Sequence, residues 1–347
     1  MIKKIIVLII CIALTVSLAG CGDSDTSKND KKPGTIIEET DTNITIVDQA
    51  NREVTVPKKI DSIALCYRAV IRFILSLDEG DKITGCGKKE DFLLELQPSL
   101  KDAKDVGQGV ADIEALAELK PDVFFHKASD VDTLDSVEEI GIPAVGLSFE
   151  TTDDMITALD IMGKVLGQEK KSKKLISYYK KKIKYDKELT ADIKDKKTAI
   201  VMGTSIGKIA DGTMLQGNMI ETAGGINSAD DLKATELWPT AGAEQIFQWD
   251  PDYIFITGSE SANYTAEDLY KDKAWSEMKA VKNKHIYVMP AKEDSWEFPG
   301  IVSALGIDYM MNKLYPEKMT NEQLDKNVEE FYKLSYGKKF TKKELGY

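Results

Sequence analysis

Glu114-Ala-Leu-Ala-Glu-Leu-Lys-Pro121-Asp122-Val-Phe-Phe125 and Glu244-Gln-Ile-Phe-Gln-Trp-Asp-Pro251-Asp252-Tyr-Ile-Phe255 stand 130 residues apart and carry one pattern. Each has a glutamate, a short amphipathic run, then Pro-Asp seven residues on, leading into an apolar strand. Proline lacks an N–H and crowds the turn before it, so it ends a helix. The aromatic and β-branched residues that follow suit a buried strand. Each copy therefore reads as helix, sharp turn and core strand. Two copies at identical spacing predict a chain built from two similar lobes, with a ligand between them.

The N-terminus predicts where the protein works. Lys3 and Lys4 precede an apolar run, Ile5 to Val16, and then Leu18-Ala-Gly-Cys21. This is a secretory signal layout, and its apolar part is shorter than the ~20 residues of a membrane span. Leu-Ala-Gly-Cys reads as a bacterial lipobox, which makes Cys21 the lipidated first mature residue. Residues 21–42 are rich in Asp, Ser, Thr, Lys and Asn, too polar to build a core, and read as a flexible tether.

About 300 mature residues exceed one typical core, so two lobes are expected. The net charge of −12 argues against nucleic acid and against adhesion to an anionic surface through bulk charge. Four cysteines are present; beyond Cys11 in the signal and Cys21, only Cys66 and Cys86 remain. They lack the spacing of a zinc site or a disulfide framework. Both end predicted neighbouring strands, where a disulfide or a pair of cleft thiols fits equally.

Ile44 to Val47 and Val54 to Val56 read as a hairpin, followed by alternating strands and helices, which means βα units and a mainly parallel sheet. Met155 to Leu166 and Lys170 to Ile193 form a long helical stretch. Its second part is Lys-rich but interleaved with Glu169, Asp186, Glu188 and Asp192, as on a solvated helix face. The pattern restarts at Thr198. The chain thus divides into a signal (1–20), a tether (21–42), an N-terminal α/β lobe (43–165), a connecting helix (166–195) and a C-terminal α/β lobe (196–347).

Catalytic and cofactor motifs are mostly missing. Gly203-Thr-Ser-Ile-Gly207-Lys208-Ile209 is one residue short of a P-loop and has Ile where Ser or Thr holds magnesium; it reads as a turn lining the cleft. Gly85-Cys-Gly87 lacks the third glycine of a dinucleotide fingerprint. His126 and His285 are the only histidines, which excludes a three-imidazole metal site. No Gly-x-Ser-x-Gly elbow is present. Neither a cofactor nor a resident metal is expected, and no enzymatic activity.

With the motifs assembled, the chain resembles the ABC-transporter solute-binding proteins for iron–siderophore complexes, haem and vitamin B12 over roughly residues 44 to 335. The resemblance rests on Val56-Pro57, Ile60 to Leu65, Gly107 leading to Ile113 to Val123, Ala223-Gly-Gly-Ile-Asn227, Glu244 to Phe255, and Trp296-Glu-Phe-Pro-Gly300. It implies two Rossmann-like α/β lobes with mainly parallel sheets, joined by a single long backbone helix that limits closure, with the ligand cleft between them. It also implies a monomer that hands its ligand to a membrane permease powered by a separate ATPase. Glu114 and Glu244 match the family positions that dock onto permease arginines.

Ligand contacts are expected from loops at the carboxyl ends of the strands. In the first lobe these are Tyr67, Arg68, Lys88 with Lys89, Gln108, His126, Lys127 and Phe149. In the second they are Thr204, Lys208, Trp238, Thr240 and the stretch Asp294 to Phe298, including Trp296 and Phe298. Arg68 and Arg72 are two of only three arginines, one helical turn apart. Arginine's rigid fork reads anionic groups in a way lysine cannot, so Arg68 is the expected contact to an anionic ligand and Arg72 a structural salt bridge. For His126, which follows a buried strand, a hydrogen-bonded structural role fits better than axial metal ligation. The expected ligand is an iron(III)–siderophore, with a corrinoid or haem as the alternative; a secreted enzyme is the less favoured class.

Overall fold

Asp122 and Asp252, the acidic residues of the repeated Pro-Asp pair, tie each lobe together in the same way. The computed structural model describes residues 31–232 and 237–347, and Lys31–Tyr347 form one compact unit. The signal segment and Cys21 lie outside the described residues.

A three-stranded antiparallel sheet comes first: β1 (Ile36–Glu39), β2 (Asn43–Val47) and β3 (Glu53–Pro57). The expected tether, residues 21–42, therefore contains a strand. Ile36 pairs with Ile46 and Glu39 with Ile44, so the edge of the predicted hairpin recruits a segment whose composition looked unstructured. The hairpin turn is held by the buried Asp48 carboxylate, which accepts from Ala50 N (2.9 Å), Arg52 N (2.9 Å) and Gly146 N (3.0 Å).

The first lobe continues with β4 (Ile63–Leu65), α1 (Arg68–Ser76), β5 (Ile83–Gly85), α2 (Asp91–Leu96) and α3 (Ile113–Leu119). Then come β6 (Val123–Lys127), α4 (Val131–Glu139), β7 (Ala144–Leu147) and α5 (Thr152–Val165). The 22-residue α6 (Glu169–Thr190) follows. The second lobe holds β8 (Thr198–Met202), α7 (Leu215–Thr222), β9 (Ile226–Asn227), α8 (Ala243–Trp249) and β10 (Tyr253–Ile256). It ends with α9 (Ala266–Lys271), α10 (Lys279–Lys282), β11 (Ile286–Val288), α11 (Ser303–Leu314), α12 (Asn321–Tyr336) and α13 (Lys342–Leu345).

The two parallel sheets run β5-β4-β6-β7 and β9-β8-β10-β11, the same order in both lobes. The repeated motif sits at the same place in each. Helices α3 and α8 are both seven residues long and both end on a left-handed residue before the proline, Lys120 (φ 51°) and Asp250 (φ 39°). Asp122 Oδ2 accepts from Asp61 N, Ser62 N (both 2.8 Å) and Ser62 Oγ (2.9 Å), while Ser62 Oγ accepts from Asp122 N (3.0 Å). In the second lobe Asp252 Oδ2 accepts from Thr198 N (3.0 Å) and Thr198 Oγ1 (3.2 Å), and Thr198 Oγ1 accepts from Asp252 N (3.0 Å). Each clamp joins the start of the third strand to the start of the first. Partial burial works against ionisation of Asp122, but these hydrogen bonds outweigh it and hold the carboxyl below its usual range.

Helix α6 turns Leu175 and Tyr179 inward, and the Tyr179 hydroxyl lies 2.8 Å from Ser303 Oγ of α11. Its Lys182 is buried between the carboxylates of Asp186 and Asp308, with Asn327 Nδ2 donating to Asp308 (2.8 Å). A second element also crosses back: α12 brings Tyr332 and Tyr336 against Phe92 of α2, at ring separations of 6.5 and 6.3 Å. The lobes are thus braced by α12 as well as by α6. Among the described residues no helix is long and apolar enough to cross a membrane.

Removing either clamp, Asp122→Ala or Asp252→Ala, strands partly buried donors and is expected to lower unfolding free energy by about 1–2 kcal/mol, read by urea denaturation. Two buried carboxyls, Asp186 of α6 and Glu297, give a pH signature. Burial, then the neighbouring Asp308, raises the pKa of Asp186, and burial pushes Glu297 up to about 7. Both bind protons more tightly folded than unfolded, so stability falls as pH rises from the ordinary carboxylate range through about 7. Thermal denaturation should give a lower Tm at pH 8 than at pH 5, and Asp186→Asn or Glu297→Gln should flatten that slope. Lys182→Met leaves two buried carboxyls facing each other and should cost about 3 kcal/mol or more.

Candidate functional site

The carboxyl ends of β4, β6 and β7 and of β8, β10 and β11 face the cleft between the lobes. At the end of β4 the chain places Tyr67 and then Arg68 at the first position of α1. Glu90, which precedes α2, bridges both arginines: Arg68 Nη2 contacts Oε1 and Arg72 Nη2 donates to Oε2 at 2.7 Å. Arg72 also donates through Nε to Asp294 Oδ1 at 2.8 Å, crossing from the first lobe to the second. Asp294 is fully buried; it accepts from the Tyr332 hydroxyl (3.3 Å), which in turn accepts from Trp296 Nε1 (3.0 Å). Arg72 is thus the structural ion pair that the sequence suggests. Arg68 is the member of the pair that reaches solvent, its side chain 44 % exposed.

Both guanidiniums lie over the Phe298 ring, at 5.3 and 5.4 Å from its centroid, a cation–π arrangement. Partial burial lowers the Arg68 pKa, Arg72 adds to that, and Glu260 at the end of β10 opposes it. Arg68 therefore feels a carboxylate of the opposite lobe. On its other side Lys127 Nζ sits 5.4 Å from the Tyr67 ring centroid. Lys127, Tyr67 and Arg68 of the first lobe and Phe298 of the second form a row of cation, ring, cation and ring.

Lys88 and Gln108 are exposed and adjoining, Lys88 N donating to Gln108 Oε1 at 3.3 Å. Lys89 Nζ donates to Ala103 O at 2.6 Å. Thr204 and Thr240 are exposed in the second lobe, and Lys208 pairs backbone-to-backbone with Thr240. Trp238 lays its ring on Gly203, where an added Cβ would come within 2.8 Å of the indole. Glycine is required there, and the Gly203–Gly207 stretch is a turn, as expected from sequence.

Three expected contacts are corrected. Phe149 is fully buried, stacked on Phe73 (4.9 Å) and edge-on to Tyr67 (5.4 Å), so it supports the tyrosine from beneath. Trp296 is fully buried against Tyr309 and Tyr347; its large apolar area outweighs the polarity of the neighbouring loop, and Tyr332 satisfies its N–H. His126 is fully buried between Cys66 Sγ (3.1 Å) and Asp130 Oδ2 (2.7 Å), a hydrogen-bonded structural histidine. Burial lowers its pKa despite Asp130. Cys66 and Cys86 are free buried thiols, and burial pushes Cys66 up to about 12, which makes it unreactive.

Sequence reading missed Glu90. Glu297, inside the expected contact stretch Asp294 to Phe298, is buried instead; it accepts from Gly258 N (3.0 Å) and Thr257 Oγ1 and fixes the turn after β10. Glu114 and Glu244 are exposed, each the second residue of its seven-residue helix. Being equivalent in α3 and α8, they present one carboxylate per lobe. Among the described residues no cluster of three or more His, Cys, Asp or Glu could hold a metal ion.

Two α/β lobes braced by helices around a cleft are the architecture of the solute-binding proteins that this chain superposes on. Residues 63–293 match the family described as periplasmic binding protein, and the chain belongs to that family. It is 24% identical to the molybdate-binding protein MolA of Haemophilus influenzae, over 84% of this chain and 90% of that protein. It is 27% identical to the iron-uptake system-binding protein of Bacillus subtilis, over 82% and 90%. The crystal structure of a periplasmic solute binding protein from Veillonella parvula superposes with a TM-score of 0.75 at 24% identity, covering 87% of this chain and 95% of that one. The protein is an ABC-transporter substrate-binding protein, of a family that transports rather than transforms.

Proposed function

We propose that this protein captures an anionic iron(III) chelate, most simply a ferric siderophore, and delivers it to a membrane permease driven by its ATPase. One observation carries the reading: the alternating cations and rings of Lys127, Tyr67 and Arg68 from the first lobe and Phe298 from the second. Large rings offer contact area at small entropic cost, and Arg68, already partly desolvated, offers a directional donor for carboxylate or catecholate oxygens. The iron-uptake relative and the ferric citrate-binding and ferric hydroxamate-binding relatives of B. subtilis support the same class. Capture takes place outside the cytoplasmic membrane, with the chain held by lipid on Cys21.

A second reading, a bare oxyanion, is favoured by the similarity to the molybdate-binding protein. Calorimetric titration with ferric catecholate, ferric hydroxamate, ferric citrate, haemin, cobalamin and molybdate decides between them. The expected result is saturable one-to-one binding of a ferric chelate at micromolar affinity or tighter, about −8 kcal/mol, with the metal-free chelator weaker. Binding of molybdate alone overturns the chelate reading. Arg68→Ala should weaken the chelate roughly tenfold or more, about 1.4 kcal/mol, with little change in Tm.

Exposed and equivalent, Glu114 and Glu244 are placed to contact basic permease side chains on both lobes at once. Glu114→Ala with Glu244→Ala should abolish uptake of labelled ligand by cells while leaving calorimetric affinity unchanged. Unimpaired uptake would remove docking from these residues.

A further inference from the structure

We propose that the solvent face of α6, together with the chain segment that enters the folded body beside it, docks onto the anionic phospholipid headgroups of the membrane. The inference takes from the functional reading only that a membrane lies nearby; the binding itself does not depend on what the cleft holds.

Helix α6 carries nine lysines in 22 residues. Lys182 is consumed in the core, and Lys171 pairs with Asp78. Lys173, Lys180, Lys184 and Lys187, spaced by seven, four and three residues, fall on one stripe of the helix. All four are exposed. Among the described residues the one ion pair they make is Lys184 with Glu188, at 3.6 Å. They flank shallow grooves between α5 and α6 floored by Ile156, Ile176 and Ile183.

Lys32 and Pro33 line the same groove as Lys173, Lys180 and Lys181, and Lys164 Nζ donates to Gly34 O at 2.7 Å. The chain that leads back to Cys21 therefore joins the body on the lysine face. The acidic residues there are few. Asp160 is neutralised by Lys164 at 2.6 Å, leaving Asp153 and the paired Glu188 at the grooves. The protein as a whole is strongly acidic, at −12, so an anionic surface repels most of it and attracts this face.

Magnitudes fit a weak surface made effective by attachment. A lysine near an anionic leaflet contributes roughly fivefold in binding, and salt screens it over about 8–10 Å. The ten residues from Cys21 to Asp30 reach at most about 35 Å, which holds the face near the lipid at millimolar effective concentration. The anchored body then rests on α6.

The test uses the chain beginning at Gly22, which lacks the lipid but contains the whole compact unit Lys31–Tyr347. It is sedimented with phosphatidylcholine vesicles, with and without phosphatidylglycerol. Expected is pelleting with the anionic vesicles only, lost at about 1 M salt, where the screening length falls to about 3 Å. Changing Lys173, Lys180, Lys184 and Lys187 together to Gln should weaken it by roughly a hundredfold or more, with Tm and calorimetric ligand binding unchanged. Absence of pelleting, equal pelleting with both vesicles, or an undiminished quadruple variant overturns the proposal. Binding of that variant series to soluble polyphosphate but not to vesicles overturns it too. Because ligand titration is read on the same samples, failure of membrane docking and failure of the solute assignment are separate outcomes.

Discussion

A single guanidinium, Arg72, holds the cleft in shape. It is buried, and it reaches Glu90 within its own lobe and Asp294 of the other. Burying such charges is costly unless partners are in place. Here Tyr332 and, behind it, Trp296 complete the shell around Asp294. The pairing sets the distance between the lobes at the base of the site. It also leaves the second oxygen of Glu90 to position Arg68, so the solvent-facing arginine inherits its geometry from the buried one.

The same logic repeats away from the cleft. Lys182 between Asp186 and Asp308 fastens α6 to the second lobe, while Phe92 against Tyr332 and Tyr336 fastens α12 to the first. Movements of one lobe against the other must disturb buried charge or aromatic packing, both of which resist continuous deformation. This is a frame for small closure.

Much of the architecture was legible because it obeys local rules. The Pro-Asp repeat marked the third strand of each lobe, since proline stops a helix whatever surrounds it. The hairpin and the long helix followed from periodicity. Strand β1 was not legible, because Ile36–Glu39 has a tether-like composition and becomes a strand only when the β2 edge offers its hydrogen bonds. Among candidate residues, Arg68 and Lys127 were singled out by their chemistry at strand ends. Glu90 was not, since a glutamate in a loop gives no sign that it will bridge two arginines.

By itself, the sequence determined the class of this protein: two duplicated α/β lobes, a connecting helix, an export signal layout, and a close pair of arginines in a chain of lysines. These depend on backbone chemistry and periodicity, which act over a few residues. The tertiary structure decided which aromatic residues face the cleft. Trp296 and Phe149 went to the core and Tyr67 and Phe298 to the wall, because burial depends on neighbours far beyond the local segment, such as Phe73 for Phe149 and Tyr332 for Trp296. It also decided why aspartate follows proline in both repeats: Ser62 and Thr198 lie at the start of a neighbouring strand, where the carboxylate satisfies donors that the sheet leaves open.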